Sequence, residues 1–132
     1  LMMGEYFSKN CIVAEETASN SSKKLAGFVV GFCPPEKPDT LFVWQVASDN
    51  GQRGKGLGKT LLLELLQRQD HDTVHYLEAT ISPSNTASHA LFKAAAKSLG
   101  GMHQLSPLFP AEWFPPGHEE EDLCRIGPFN LD

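Results

Sequence analysis

The stretch Arg53-Gly54-Lys55-Gly56-Leu57-Gly58-Lys59-Thr60 decides the fold of this 132-residue chain. It follows an apolar run, residues 40–48, and precedes a leucine-rich run, residues 61–66, which predicts a strand, a tight glycine loop and a helix. Three glycines at alternate positions leave backbone N–H groups open to close approach by a ligand. These amides lie at a helix N-terminus, where the helix dipole favours anions. With three added cations, on Arg53, Lys55 and Lys59, the stretch predicts a phosphate or pyrophosphate site.

The spacing separates three kinds of phosphate loop. A Walker A loop needs a glycine where Arg53 stands, five residues before Gly58-Lys59-Thr60. A dinucleotide-binding G-x-G-x-x-G fingerprint is one residue longer than Gly54-x-Gly56-x-Gly58. Residues 53–58 instead resemble, without a mismatch, the Arg/Gln-x-x-Gly-x-Gly/Ala loop of the GCN5-related N-acetyltransferases, which hold the pyrophosphate of acetyl-CoA. The alternative is an ordinary glycine-rich turn that caps a helix.

Length and composition limit the class of protein. We predict one domain over residues 1–132, because the chain has the length of a single compact unit. The net charge of -5 and the lack of a basic face argue against nucleic acid as a partner. No apolar run reaches the length of a membrane span, so no membrane partner is expected. Residues 1–7 look like the end of a helix, and we expect the full-length protein to have further N-terminal residues.

The cysteines indicate the compartment. Cys11, Cys33 and Cys124 are widely spaced and odd in number, which fits neither a disulfide framework nor a zinc site. We therefore predict a reduced, cytoplasmic protein.

Hydrophobic periodicity predicts an α+β fold with a mixed, mostly antiparallel central sheet flanked by helices. A polar turn separates the first two strands, which form a hairpin, and the third strand is apolar enough to be central. The predicted strands are residues 11–15, 25–32, 40–48, 75–81 and 123–128; the predicted helices are residues 56–69 and 86–99. Residues 106–117, rich in proline and aromatic residues, are predicted to be a long functional loop.

A second motif supports the acetyltransferase resemblance. Residues 85–92, Asn-Thr-Ala-Ser-His-Ala-Leu-Phe, resemble the family's N-x-x-A/S-x-x-L-Y/F helix start, with Asn85 at the position that binds the pantetheine arm. Capping the helix is the alternative role of Asn85, and both can coexist. The resemblance implies a sheet that splays open, with acetyl-CoA in the wedge. The cofactor-binding residues that it implies are Val46, Ala47, Ser48, Arg53, Gly54, Lys55, Gly56, Leu57, Gly58, Lys59 and Asn85.

The chemistry of the reaction suggests a base. A primary ammonium, with a pKa near ~10.4, cannot attack a thioester until it loses a proton, and a carboxylate can accept that proton directly or through water. Glu78 is the predicted catalytic residue because it lies mid-strand beside the implied wedge; an exposed glutamate or a core salt bridge is the alternative. His75 and His89 are weaker candidates. Phe92 stands where the family often has a tyrosine that acts as general acid. Phenylalanine cannot donate a proton, so the sequence leaves the identity of the general acid open.

Further blocks narrow the resemblance to one family. Residues 40–47, 77–80, 83–85, 106–110, 118–119 and 125–128 together resemble the L-2,4-diaminobutyrate acetyltransferases of ectoine biosynthesis. The resemblance implies acetyl transfer to the γ-amine of L-2,4-diaminobutyrate by direct attack in a ternary complex, without a metal, in a homodimer. We expect five acceptor-side residues: Trp44, Glu78, Thr80, His118 and Glu119. Plain core packing for Trp44 and a solvated loop for residues 118–122 are the alternatives.

Three other functions stay open from the sequence. The acceptor could be a polyamine or a protein amine. A non-catalytic acyl-CoA sensor would also explain Phe92. A nucleotide hydrolase is disfavoured by Arg53 at the first glycine position of a Walker A loop.

Overall fold

The computed structural model describes residues 2–3, 10–17, 23–48, 56–109 and 121–131, and the side chains of most of these. Within these ranges the chain forms seven strands and two helices. In chain order they are β1 (Met2–Met3), β2 (Cys11–Thr17), β3 (Lys23–Phe32), β4 (Thr40–Ser48), α1 (Leu57–Gln67), β5 (Tyr76–Ile81), α2 (Thr86–Leu99), β6 (Met102–Phe109) and β7 (Glu121–Gly127).

The strands form one sheet in the order β1-β2-β3-β4-β5-β7-β6. Only β4 and β5 are parallel among the described pairs, and they are joined by the crossover through α1; every other pair is antiparallel. The predicted α+β fold with a mixed, mostly antiparallel sheet is therefore confirmed. No helix among the described residues is long and apolar enough to cross a membrane.

The two parallel strands separate along their length. Their register has three pairs, from Thr40 with Tyr76 to Phe42 with Glu78. In the β3–β4 pair the register shifts between Val30 and Gly31, which face Gln45 and Val43, so Trp44 is an extra residue in β4. A bulge of this kind bends its strand. β4 therefore leaves β5 just past Phe42, and the predicted wedge opens there.

Helix α1 packs on β2, β3 and β4 through one leucine-rich face. The predicted stripe is confirmed, since Leu61, Leu62, Leu65 and Leu66 are fully buried. Gly27 lets the helix approach the sheet, because a Cβ there would lie 2.8 Å from the Ala47 carbonyl oxygen and 3.1 Å from a methyl group of Leu57.

Two predictions about secondary structure are wrong. Residues 106–109, predicted as loop, belong to the edge strand β6, where Pro107 pairs with Asp122. An edge strand tolerates proline because one side of its backbone needs no ladder hydrogen bond. Met2 and Met3, predicted as the end of a helix, pair with Glu15 and Ala14 as a strand. The rest of the predicted loop, residues 110–117, and residues 1 and 4–7 lie outside the described residues.

Candidate active site

The N-terminus of α1 has the geometry predicted for an anion site. Gly56 is the N-cap, with φ of +72° in the left-handed region, where glycine is favoured. No side chain caps this end, and no acidic residue lies in the first turn. A Cβ at Gly56 would meet nothing within 4 Å, so the space above it is open. Arg53, Gly54 and Lys55, the first half of the predicted phosphate loop, lie outside the described residues.

A cavity of about 170 Å³ lies where β4 and β5 separate, and α2 closes one side of it. We call it the wedge cavity. Trp44, Val46 and Thr80 line it from the two strands, and Asn85, Ser88 and Phe92 line it from the start of α2. The structure therefore brings together predicted residues from both sides of the splayed strands.

The β4 edge of the wedge offers backbone groups. Within the described strands β4 has no pairing with β5 beyond Phe42, although β4 runs on to Ser48. Backbone N–H and C=O groups need hydrogen-bond partners. An extended ligand that carries amide groups can pair with such an edge as an added strand does. This geometry fits the pantetheine arm, whose predicted partners include the backbone of Val46, Ala47 and Ser48.

Asn85 has the capping role that the sequence left open. Its side-chain oxygen accepts a hydrogen bond from the Ser88 N–H at 3.1 Å, which satisfies a free donor at the start of α2. Asn85 also lines the wedge cavity together with Ser88 and Phe92, at positions i, i+3 and i+7 of one helix face. Sequence reasoning missed Ser88, although this spacing from Asn85 would have indicated it.

Glu78 lies in a buried ion pair. It is only 4% exposed. Oε2 accepts a hydrogen bond from Nη1 of Arg125, and Nζ of Lys37 lies 3.5 Å from Oε1. The salt bridge that the sequence left as an alternative is therefore present. The role of Glu78 as a base stays a prediction. The structure adds that each of its carboxylate oxygens faces a cation.

Arg125 and Lys37 are functional candidates that sequence reasoning missed. Arg125 lies opposite Glu78 in the β5–β7 register, which no spacing in the sequence reveals. Lys37 lies in the turn between β3 and β4, whose proline and charged residues indicated only a loop. A buried carboxylate is costly unless a cation lies nearby. A buried position for Glu78 in β5 would therefore have predicted that a cation such as Arg125 or Lys37 lies close to it.

The other predicted residues divide into three groups. Trp44 is 74% exposed, so its alternative role in core packing is wrong, and Thr80 is half-buried beside it in the wedge cavity. The ring of His75 lies between the carbonyl oxygens of Phe129 and Asp72, at 2.9 and 3.1 Å. His89 Nε2 lies 3.2 Å from the Ser82 carbonyl oxygen. These contacts give both histidines structural roles. His118 and Glu119 lie outside the described residues.

Comparison with known proteins assigns the chain to a family. The sequence profile described as the acetyltransferase (GNAT) family matches residues 4–96. The chain belongs to the GNAT acetyltransferase family. A Marinococcus halophilus protein named L-2,4-diaminobutyric acid acetyltransferase is 51% identical over 98% of this chain and 73% of its own length. A protein of the same name from Halalkalibacterium halodurans is 45% identical over 98% of this chain and 67% of its own length.

A solved structure is similar to this chain over nearly its whole length. It is the diaminobutyrate acetyltransferase EctA from Paenibacillus lautus in complex with its substrate L-2,4-diaminobutyric acid and coenzyme A. The two chains are 38% identical with a TM-score of 0.82, over 98% of this chain and 76% of that one. The predicted resemblance to diaminobutyrate acetyltransferases is confirmed.

Proposed function

We propose that this GNAT protein transfers the acetyl group of acetyl-CoA to the γ-amine of L-2,4-diaminobutyrate, giving N-γ-acetyl-diaminobutyrate for ectoine biosynthesis. The observation that carries the proposal is the likeness, over nearly the whole chain, to an enzyme solved with diaminobutyrate and coenzyme A. Relatives named for the same activity, at up to 51% identity, support it.

Acetyl-CoA binds along a path that the fold provides. The open N-terminus of α1, from Gly56 through Gly58 with Lys59, takes the pyrophosphate together with Arg53, Gly54 and Lys55. The edge of β4 pairs with the pantetheine arm, and the Asn85 amide binds it from α2. This path brings the thioester into the wedge cavity.

The acceptor approaches from the sheet face that carries Trp44, Glu78 and Thr80. Trp44 supplies an exposed aromatic wall for a cationic ligand, and Glu78 supplies a carboxylate for an ammonium group. His118 and Glu119 complete the proposed acceptor set from the segment between β6 and β7. A small molecule with two amines and one carboxylate suits this combination of aromatic and charged groups.

The reaction is a direct attack in a ternary complex. The γ-amine, once deprotonated, attacks the thioester carbonyl; the C–N bond forms and the C–S bond breaks. Glu78 accepts the amine proton, directly or through water. The departing thiolate takes up a proton to give coenzyme A, and Phe92, which is buried in the wedge cavity, cannot donate it. A thiol has a pKa near ~8.5, so the thiolate leaves without a dedicated acid. The proposed mechanism involves no metal.

A substrate panel tests the proposed function. Release of coenzyme A thiol is measured with L-2,4-diaminobutyrate, spermidine and a peptide with a free N-terminus at equal concentrations. We expect kcat/KM for diaminobutyrate to be the highest by at least tenfold. Faster turnover of spermidine or the peptide would assign a different acceptor, and tight acetyl-CoA binding with no turnover would favour an acyl-CoA sensor.

The proposed setting is a cytoplasmic homodimer that acts on a small molecule. Cys11, Cys33 and Cys124 form no disulfide among the described residues, which is compatible with a reducing compartment. Light scattering coupled to gel filtration tests the dimer, since it would report twice the mass of one chain. A single-chain mass at the working concentration would contradict it.

A further inference from the structure

Glu78 has two counter-ions that differ in how firmly they are held. Its side chain is 5% exposed, so its negative charge needs a partner to remain buried. The side chain of Arg125 is 30% exposed, whereas that of Lys37 is 53% exposed. An ion pair whose cation is half in water contributes little to stability, and one whose cation is shielded contributes more.

Arg125 is fixed by three independent contacts. It lies on β7 directly opposite Glu78 on β5, so the sheet sets the distance between the two backbones. Its Nη1 donates a hydrogen bond to Oε2 of Glu78. Its guanidinium also lies over the ring of Tyr76, 3.9 Å from the ring centre, in a cation–π contact.

Lys37 is held more loosely. It belongs to the turn between β3 and β4, where its N–H donates to the Pro34 carbonyl at 2.9 Å and its carbonyl accepts from the Thr40 N–H at 3.0 Å. Its side chain stays 53% exposed where it reaches Glu78. The 3.5 Å between Nζ and Oε1 exceeds the ~2.7–2.9 Å of a charge-assisted hydrogen bond. Lys37 therefore reaches Oε1 from a flexible stem, without close contact.

The surrounding pocket suits the entry of another cation. It is an open depression of about 690 Å³, with Glu78 in its wall. Two cations, Lys37 and Arg125, face three carboxylates, Glu36, Asp39 and Glu78, so the pocket carries one net negative charge. The ammonium of Lys37 is a primary alkylammonium on a short carbon chain, the same group that an ω-amino acid acceptor brings. Exchange of one for the other keeps the charge on Oε1 balanced.

We propose that Arg125 and Lys37 are positioning residues with different roles: Arg125 fixes Glu78 permanently, and Lys37 leaves Oε1 when the acceptor's ammonium binds there. The inference rests on the proposed function, because it concerns the same carboxylate. Lys37 thus neutralises the buried carboxylate in the free enzyme and competes with the acceptor for it.

Substitution of Lys37 tests the displacement. Lys37→Met keeps the length of the side chain and removes the charge, so we expect KM for diaminobutyrate to fall about two- to fivefold, the range expected for loss of an exposed pair. We expect KM for acetyl-CoA to be unchanged. Lys37→Arg keeps a cation and should not lower KM. Lys97→Met, at the exposed end of α2, is the matched control. A KM that is unchanged or higher in Lys37→Met overturns the displacement.

A calorimetric cycle isolates Glu78 as the point of competition. The dissociation constant of diaminobutyrate is measured in the presence of coenzyme A for wild type, Lys37→Met, Glu78→Gln and the double variant. We expect Lys37→Met to tighten binding only when Glu78 is present. Equal tightening in the Glu78→Gln background would place the effect of Lys37 elsewhere and overturn the inference.

Thermal unfolding tests the unequal roles without any substrate. Arg125→Met leaves a buried carboxylate with only a loose partner, and we expect Tm to fall by roughly 10 °C or more. Lys37→Met should change Tm by less than about 3 °C. If Arg125→Met does not fold, Arg125→Lys takes its place, and its Tm should still lie below that of Lys37→Met. Equal shifts in Tm would overturn the assignment of Arg125 as the fixed partner. Because this test uses no diaminobutyrate, its outcome does not depend on the proposed function.

Discussion

At the scale of single residues, the buried carboxylate of Glu78, held between Arg125 and Lys37, is the group on which the proposed chemistry depends. Its place in an alternating strand predicted a carboxylate beside the wedge, and the structure buries it at the last paired position before β4 and β5 separate, in the wall of the depression that also contains Lys37 and Arg125. Its partner Arg125 could not be predicted, because the pairing depends on β7 inserting between β5 and β6. Trp44 is similar: residues 40–48 read as a continuous strand, and only the register shift shows that Trp44 is an extra residue turned outward.

Removal of the Glu78 carboxylate should impair catalysis and spare coenzyme binding. In Glu78→Gln we expect kcat to fall ~10²- to 10⁴-fold, because the amine loses its proton acceptor. The dissociation constant of acetyl-CoA should stay within about twofold of the wild-type value. Thiol-release assays measure kcat, and calorimetry measures the dissociation constant of acetyl-CoA. Glu64→Gln, on the surface of α1 beside Arg68, is the matched control. A near-normal kcat in Glu78→Gln would show that another group accepts the proton.

The two roles of Asn85 can be separated by choice of substitution. Asn85→Ala should lose about 1 kcal/mol of stability with the cap and also raise KM for acetyl-CoA. Asn85→Ser keeps a capping oxygen but removes the amide N–H₂ group, so stability should stay near wild type while KM for acetyl-CoA still rises. Chemical denaturation and initial rates provide the measurements. If Asn85→Ser matches wild type in both, capping is the whole role of Asn85.

At the level of single elements, the glycines of α1 and β3 serve different purposes. Gly27 is needed for packing, because a Cβ there would lie within 2.8 Å of a backbone oxygen. At Gly58 a Cβ would be 3.4 Å from Leu91, an ordinary contact, so the fold does not require a glycine in this helical position. The sequence placed Gly27 in a strand and Gly58 in the phosphate loop, and only the packing shows what each position requires.

A pair of alanine substitutions should separate folding from coenzyme binding. Gly56→Ala should weaken acetyl-CoA binding by roughly tenfold, because a methyl group would enter the open space above the free amides of α1, and it should cost about 1 kcal/mol of stability through the left-handed φ of this position. Gly27→Ala should lower stability by ~1–3 kcal/mol. Denaturation curves and calorimetry test both. Unaltered acetyl-CoA affinity in Gly56→Ala would remove this turn from the coenzyme site.

Considered as a whole, the fold was largely predictable from periodicity, while the edge of the sheet was not. Alternation and leucine spacing identified β2 to β5, α1, α2 and β7, since each has one buried face. Strand β6 was missed because Pro107 argues against a strand, a rule that an edge position relaxes. Sequence motifs predicted that Trp44, Val46, Thr80 and Asn85 lie near the wedge, and these four line the wedge cavity. The ion pairs around Glu78 arise from tertiary register.

The half-buried His103 and the buried Cys124 should limit stability at opposite ends of the pH range. Burial lowers the pKa of His103 below 6.5, helped by His89 and Lys93, so the unfolded chain binds a proton that the folded protein excludes as pH falls below that value. Burial raises the pKa of the Cys124 thiol from 9.0 to about 11, so the unfolded chain releases a proton first as pH rises from about 9 to 11. The free energy of unfolding should decline in both directions.

Unfolding curves recorded from pH 5 to pH 11 measure this profile. His103→Gln should reduce the loss of unfolding free energy at acid pH and leave the alkaline side of the profile unchanged. Cys124→Ala should reduce the loss at alkaline pH and leave the acid side unchanged. If the free energy of unfolding falls as steeply in the variant as in wild type, other groups control stability on that side of the pH range.

The central claim is that the chain acetylates the γ-amine of L-2,4-diaminobutyrate with acetyl-CoA. The most direct measurement is NMR of the product formed from ¹³C-acetyl-CoA, with initial rates for diaminobutyrate and for its homologues with one carbon fewer and one carbon more. We predict a single product labelled on the γ-nitrogen and the highest kcat/KM for diaminobutyrate. Labelling of the α-nitrogen, or a higher kcat/KM for either homologue, would contradict the claim.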